Sequence, residues 1–156
     1  EGIVTAILPR GNELSQKNKL IATNIDQLWL VVATEPHYQF ELIDRYLILA
    51  EDSKLPINII VNKIELVDDL DQLSKDFSLY QNINYQVHFL SVKKQLNLEA
   101  LKNQLANKTN IFLGQSGVGK SSLINTLIPD LEIRVNEISS KTKKPPILSL
   151  GNIFFK

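Results

Sequence analysis

The sequence predicts an α/β domain with a mostly parallel sheet covered on both faces by helices. Short apolar runs of strand length recur at Gln27 to Ala33, Ile57 to Val61, Tyr85 to Leu90 and Ile111 to Leu113. After each comes a segment whose apolar residues step by three and four, the spacing of one helix face. Four strand–helix units in series imply crossover connections, and crossovers imply parallel neighbours with helices above and below them. A chain of 156 residues, 44% hydrophobic and 22% charged, has the length for one domain with part of a second.

Taken in order, Gly2 to Leu8 is apolar and partly β-branched, and Pro9-Arg10-Gly11-Asn12 breaks it as a strand running into a loop. A polar stretch follows to about Lys19. The strand Gln27 to Ala33 leads to a helix marked by Phe40, Ile43, Tyr46, Leu47 and Ala50. Ile57 to Val61 leads to Leu70, Leu73, Phe77 and Tyr80, and Tyr85 to Leu90 leads to Leu98, Leu101 and Leu105. Ile111 to Leu113 ends at a glycine loop, beyond which Leu123, Ile124, Leu127 and Ile128 stripe a last helix. No internal repeat and no low-complexity segment is present.

Seventeen basic and seventeen acidic residues cancel, so net charge announces no nucleic-acid partner. No cysteine is available for disulfides or thiolate metal sites, which fits a reducing compartment. No apolar run approaches the length of a membrane span and no signal sequence opens the chain, so a cytoplasmic protein that does not enter a membrane is expected. The sequence also holds no methionine, and Glu1 is expected not to be the first residue of the gene product.

Gly114-Gln115-Ser116-Gly117-Val118-Gly119-Lys120-Ser121 follows the pattern G-x-x-x-x-G-K-[ST], between a strand and a helix as the pattern requires. A chance match in a chain this long arises on the order of 1 in 200 times. The glycines let the backbone curl so that successive N–H groups face a β-phosphate, and the helix N-terminus adds partial positive charge. Lys120 can span the β- and γ-phosphates, a catalytic role, while the Ser121 hydroxyl can coordinate the Mg²⁺ that bridges them. Ser122, one residue on, is expected to reach the α-phosphate. These features do not choose between ATP and GTP.

Asn62-Lys63-Ile64-Glu65, at the end of the second of these strands, resembles the guanine-specificity motif Asn-Lys-x-Asp. An acidic side chain there accepts from guanine N1–H and the exocyclic amine, donors that adenine does not offer in that arrangement. Lys63 would lie over the base plane, and Asn62 would bind O6 or tie neighbouring loops together. Glu65 replaces aspartate, which adds one methylene and weakens the expected selectivity. Ser91-Val92-Lys93, at the end of the next strand, resembles the Ser-Ala-Lys loop whose backbone N–H contacts guanine O6.

Base-reading loops that precede the phosphate loop invert the usual order of small GTPases, as a circular permutation would. Ile7-Leu8-Pro9-Arg10, Asn12-Glu13-Leu14, Asn24-Ile25-Asp26-Gln27, Asp44-Arg45-Tyr46-Leu47, the two nucleotide motifs and Asn136-Glu137-Ile138-Ser139 together resemble the RsgA (YjeQ) family over residues 1 to about 140. The resemblance implies a P-loop NTPase domain in circularly permuted order, preceded by a remnant of an OB-fold β-barrel. It divides the chain into the end of that barrel with a linker (1–24), the permuted GTPase domain (25–140) and an atypical tail (141–156). It further implies GTP and GDP as ligands with Mg²⁺, GTP hydrolysis stimulated by the ribosome, and late maturation of the 30S subunit. The 30S subunit and its rRNA are the implied partners of a monomer, and the family's zinc site is not in this chain.

After Asn136-Glu137-Ile138-Ser139 the family pattern calls for Gly-[Lys/Arg]-His-Thr-Thr-Thr and then Asp-[Thr/Ser]-Pro-Gly. The sequence instead reads Lys141-Thr142-Lys143-Lys144-Pro145-Pro146, and no Asp-x-x-Gly follows the phosphate loop. Those switches position the attacking water, so hydrolysis is expected to suffer more than binding. A catalytically inactive nucleotide-binding module and a permuted GTPase acting at another step of ribosome assembly are the alternatives, as is an ATP-dependent P-loop protein.

Several residues are read as structural. Trp29 is expected in the core, His88 in a strand and His37 in a loop. Asp44 and Arg45 are expected in structural pairs on a helix, and Asp68, Asp69 and Asp71 at a helix N-terminus. Arg10, Lys17 and Lys19 are read as solvated charge rather than rRNA contacts.

Overall fold

The computed structural model describes residues 9–16, 19–128 and 151–152. The strand expected at Gly2 to Leu8, Lys17, the segment Asn136-Glu137-Ile138-Ser139 and nearly all of the tail lie outside the described residues.

The polar stretch before Lys19 forms an element that hydropathy does not reveal. Strands β1 (Glu13–Gln16) and β2 (Lys19–Thr23) pair antiparallel, with a bulge between Leu14 and Ser15. Among the described side chains Leu14 and the small Ala22 are buried there, and strands with so few buried apolar residues give no periodic signal. Side-chain amides close the base of the hairpin. Asn12 accepts from Ile25 N–H and donates to Ile25 C=O, both at 2.7 Å, while Asn24 accepts from Gly11 N–H at 2.8 Å.

The main sheet contains β3 (Gln27–Ala33), β4 (Ile57–Asn62), β5 (Gln86–Phe89), β6 (Asn110–Leu113) and β7 (Gly151–Asn152), in the order β5-β4-β3-β6-β7. The first four are mutually parallel, as their alternation with helices requires; β7 adds antiparallel to β6. Helices α1 (Phe40–Asp52) and α2 (Leu70–Asn82) contribute to one core, and α3 (Leu98–Leu105) and α4 (Lys120–Leu127) to the other.

All seven residues of β3 are buried because the strand is central and covered on both faces. Leu28, Leu30 and Val32 face α1 and α2, whereas Trp29, Val31 and Ala33 face α3 and α4. Asp69 caps α2 by accepting from Gln72 N–H at 2.9 Å. The expected pairing of Asp44 is with a hydroxyl: its Oδ1 accepts from Tyr80 at 2.8 Å and clips α1 to α2. Arg10 makes an exposed ion pair with Glu13 at 3.5 Å. Among the described residues no helix is long and apolar enough to cross a membrane.

A polar network lies within the core at the amino end of the sheet. Asn110 Oδ1 accepts from Gln27 Nε2 at 2.7 Å and from Trp29 Nε1 at 2.9 Å, while its Nδ2 donates to the carbonyls of Leu105 and Lys108. Each buried group of this amide is matched, as burial demands.

Candidate nucleotide-binding site

Because β3, β4, β5 and β6 are parallel, the loops that leave their carboxyl ends collect on one edge of the sheet. The chain steps outward from β3 through β4 to β5 and then returns to β6 on the opposite side of β3. The point between β3 and β6 is therefore where strand order reverses and a crevice opens. The glycine loop at 114–119 leaves β6 at this point, and Gly114, Gln115 and Val118 line a cleft there with Ala33, Pro36 and Tyr38.

Two glycines are required by contact as well as by conformation. Gly114 has φ 143°, and a Cβ there would overlap the Val31 carbonyl. Gly119 has φ 95°, and a Cβ there would overlap Asn62 Nδ2. α4 begins at Lys120, so the N–H groups of its first turn face back across the loop. Lys120 itself is buried, and its Nζ donates to the carbonyls of Gly114 at 2.8 Å and Gln115 at 2.6 Å. Burial pushes its pKa from the ordinary 10.5 down to about 8. Ser121 and Ser122 are exposed on the first turn of α4. This set of glycine cradle, lysine and serine hydroxyl suits a phosphate chain and a hard cation.

Asn62 ends β4 and is buried. Its Nδ2 donates to the Val118 carbonyl at 2.9 Å and its Oδ1 accepts from Val92 N–H at 3.2 Å. Of the two roles expected for this side chain, the geometry has the loop-tying one, joining the Ser91-Val92-Lys93 segment to the glycine loop. That segment is a tight turn in which Ser91 and Leu96 exchange backbone hydrogen bonds, and Ser91 Oγ accepts from Lys94 N–H at 3.0 Å. Lys63 adopts the left-handed conformation, φ 64°, and its Nζ donates to the carbonyls of Gly117 at 2.8 Å and Glu35 at 2.5 Å.

Ile64–Leu66 forms a 3-10 turn, with Ile64 buried. Glu65 stands on that turn, and its Oε2 is buried with no hydrogen-bond partner among the described residues. An orphaned buried carboxylate oxygen is costly, and a ligand carrying N–H donors would relieve it.

Motif reading does not reach the loop between β3 and α1. Thr34 Oγ1 donates to the Lys63 carbonyl at 2.8 Å, Glu35 supplies a carbonyl to the Lys63 ammonium, and Pro36 sits beside Gly117. Its position after a central strand, whose end faces the crevice, is the signal that could have flagged it.

Comparison with known proteins gives a uniform result. Residues 7–145 match the RsgA GTPase family. The small ribosomal subunit biogenesis GTPase RsgA of Actinobacillus pleuropneumoniae serotype 5b is 41% identical over 145 residues, covering 88% of this chain and 42% of that protein. The protein of the same name from Shewanella oneidensis is 41% identical over 148 residues, covering 90% and 42%. The crystal structure of YjeQ from Thermotoga maritima superposes with a TM-score of 0.70 at 36% identity, over 83% of this chain and 46% of that one. YloQ, described as a circularly permuted GTPase, superposes with a TM-score of 0.67 at 37% identity, over 80% and 44%. The chain thus spans about two-fifths of the length of the curated relatives it matches.

Proposed function

The chain belongs to the RsgA GTPase family, and from that premise we propose that it binds GTP and GDP with Mg²⁺ and hydrolyses GTP to GDP and phosphate in late maturation of the 30S subunit. Residues 25–140 are the permuted GTPase domain in this reading, 1–24 the end of a preceding OB-fold with its linker, and 141–156 a tail in place of the switch region. The 30S subunit and its rRNA are the partners of a cytoplasmic monomer.

The observation that carries guanine recognition is the orphaned Glu65 Oε2, on a loop that Asn62 and Lys63 fasten to the phosphate loop. Glu65 accepts from guanine N1–H and the exocyclic amine, Lys63 covers the base, and the Ser91-Val92-Lys93 turn flanks it. Gly114 to Ser122 holds the phosphates. Lys120 leaves its two carbonyl partners for the β- and γ-phosphates, and its charge offsets what develops in hydrolysis. Ser121 would hold Mg²⁺, which would supply positive charge against the phosphates. Binding of fluorescent GDP and ADP tests the assignment: GDP is expected to bind more tightly, and tighter ADP binding refutes it.

A second reading, a nucleotide-binding module with poor turnover, is favoured by one feature. Where the family pattern has Gly-[Lys/Arg]-His-Thr-Thr-Thr, the sequence after Asn136-Glu137-Ile138-Ser139 reads Lys141-Thr142-Lys143-Lys144-Pro145-Pro146. Single-turnover hydrolysis with and without small subunits separates the two. Stimulation by the subunit supports the GTPase reading, and tight binding without turnover supports the module.

A further inference from the structure

We propose that Thr34 is a positioning residue for guanine recognition, acting through Lys63; this rests on the base-reading role proposed for residues 62–65. The parallel ladder between β3 and β4 ends at the pair Ala33 and Asn62, and one step on Thr34 N–H donates to the Asn62 carbonyl at 3.1 Å. There the two strands part, because Lys63 turns to φ 64° and ψ 34°, a region that residues with a Cβ seldom occupy. The turn takes the Lys63 carbonyl out of the ladder, where it accepts from Leu66 N–H at 3.0 Å, the bond that closes the Ile64–Leu66 turn. Thr34 Oγ1 donates to the second lone pair of the same carbonyl, at 2.8 Å, and so ties the turn that carries Glu65 to the end of β3.

The other end of Lys63 returns to the same loop. Its Nζ donates to the Glu35 carbonyl at 2.5 Å and to the Gly117 carbonyl at 2.8 Å. Adjacent residues thus hold the backbone and the ammonium of Lys63, fixing the conformation from which the Ile64–Leu66 turn departs. Glu65 stands on that turn, so the hydroxyl of Thr34 sets where its carboxylate lies. The phosphate loop is reached by Asn62 and by the Lys63 ammonium, and neither contact uses the hydroxyl. Its loss therefore falls on the base and spares the phosphates.

Thr34→Val keeps the shape and the backbone N–H while removing the hydroxyl, and Thr34→Ser restores it. In the full chain, GDP and ADP affinities are measured by displacement of a fluorescent nucleotide, with the thermal midpoint recorded alongside. Thr34→Val is expected to weaken GDP by about three- to tenfold, the worth of one hydrogen bond. ADP is expected to bind as to the parent, so the GDP/ADP ratio falls, and Thr34→Ser is expected to recover it. Unchanged GDP affinity, or equal losses for GDP and ADP, overturns the positioning role. If Thr34→Val does not fold, Thr34→Ala against Thr34→Ser decides by the same ratio. A parent protein that does not prefer GDP to ADP fails the base-reading assignment itself, a result distinct from a preference that survives in the variants.

Discussion

At the scale of single residues, the nucleotide loops present groups whose surroundings forecast measurable effects. Glu65 Oε2 is buried without a partner among the described residues, so its charge is the part that a guanine would use. Glu65→Gln removes the charge and replaces one of two acceptors with a donor, so that guanine N1–H and the exocyclic amine cannot both be accepted, and GDP affinity is expected to fall roughly tenfold or more, with ADP little altered. Competition binding checks this; an unchanged GDP/ADP ratio would remove Glu65 from recognition. In the proposed reading Lys120, held by burial near a pKa of about 8, would exchange carbonyl partners for phosphate oxygens that favour its charged form. GDP binding is therefore expected to take up protons above pH 8 and to weaken as pH rises through that value. Calorimetry in two buffers of different ionisation enthalpy reads the uptake directly. The sign for folding differs: a lysine with a folded pKa below its unfolded one makes stability rise with pH between about 8 and 10.5.

At the scale of elements, the sheet is built to bring loop ends together. Asn62 spans the phosphate loop and the Ser91-Val92-Lys93 turn, and Gly119 leaves room for its amide. Gly119→Ala puts a methyl group on that amide at a φ that alanine avoids, so nucleotide binding is expected to drop by about a hundredfold with the core intact. Nucleotide titration beside circular dichroism separates the two effects. The Asn110 network fastens β3, β6 and the end of α3 at the opposite edge. Asn110→Ala leaves the Trp29 indole N–H buried without its acceptor and the Gln27 amide with the Gln104 carbonyl but without the Asn110 one, at a cost of about 2–4 kcal/mol. Urea unfolding followed by the fluorescence of Trp29, the sole tryptophan, measures it.

The whole molecule couples these edges through two cores, and one half-buried group reports on the second. His88 on β5 lies 5.4 Å from Trp29 between ring centroids, and its Nε2 has no partner among the described residues. Burial lowers its pKa below the ordinary 6.5. The unfolded chain therefore binds more protons than the folded one below pH 6.5, and stability is lost as pH falls through that range. Thermal midpoints between about pH 5.5 and 7 should slope accordingly, and His88→Phe should flatten the slope.

Much of this organisation is carried by local pattern. The apolar spacing placed β3, β4, β5, β6 and all four helices within a few residues of where they lie, since burial of one face repeats with the geometry of the element itself. The glycine loop is legible because a tight curl, with Gly114, Gly117 and Gly119 at positive φ, restricts the residue types that the loop can hold. The order of the motifs, a one-dimensional property, sufficed for the permutation. The β1–β2 hairpin escaped because it buries little, and β7 because two residues make no pattern. The Thr34 hydroxyl on the Lys63 carbonyl, the Asn62 bridge between segments 56 and 30 positions away, and the Asn110 network were decided by tertiary structure. Each depends on which strands are neighbours and in what register. Sheet order sets that, and no stretch of sequence between the partners records it.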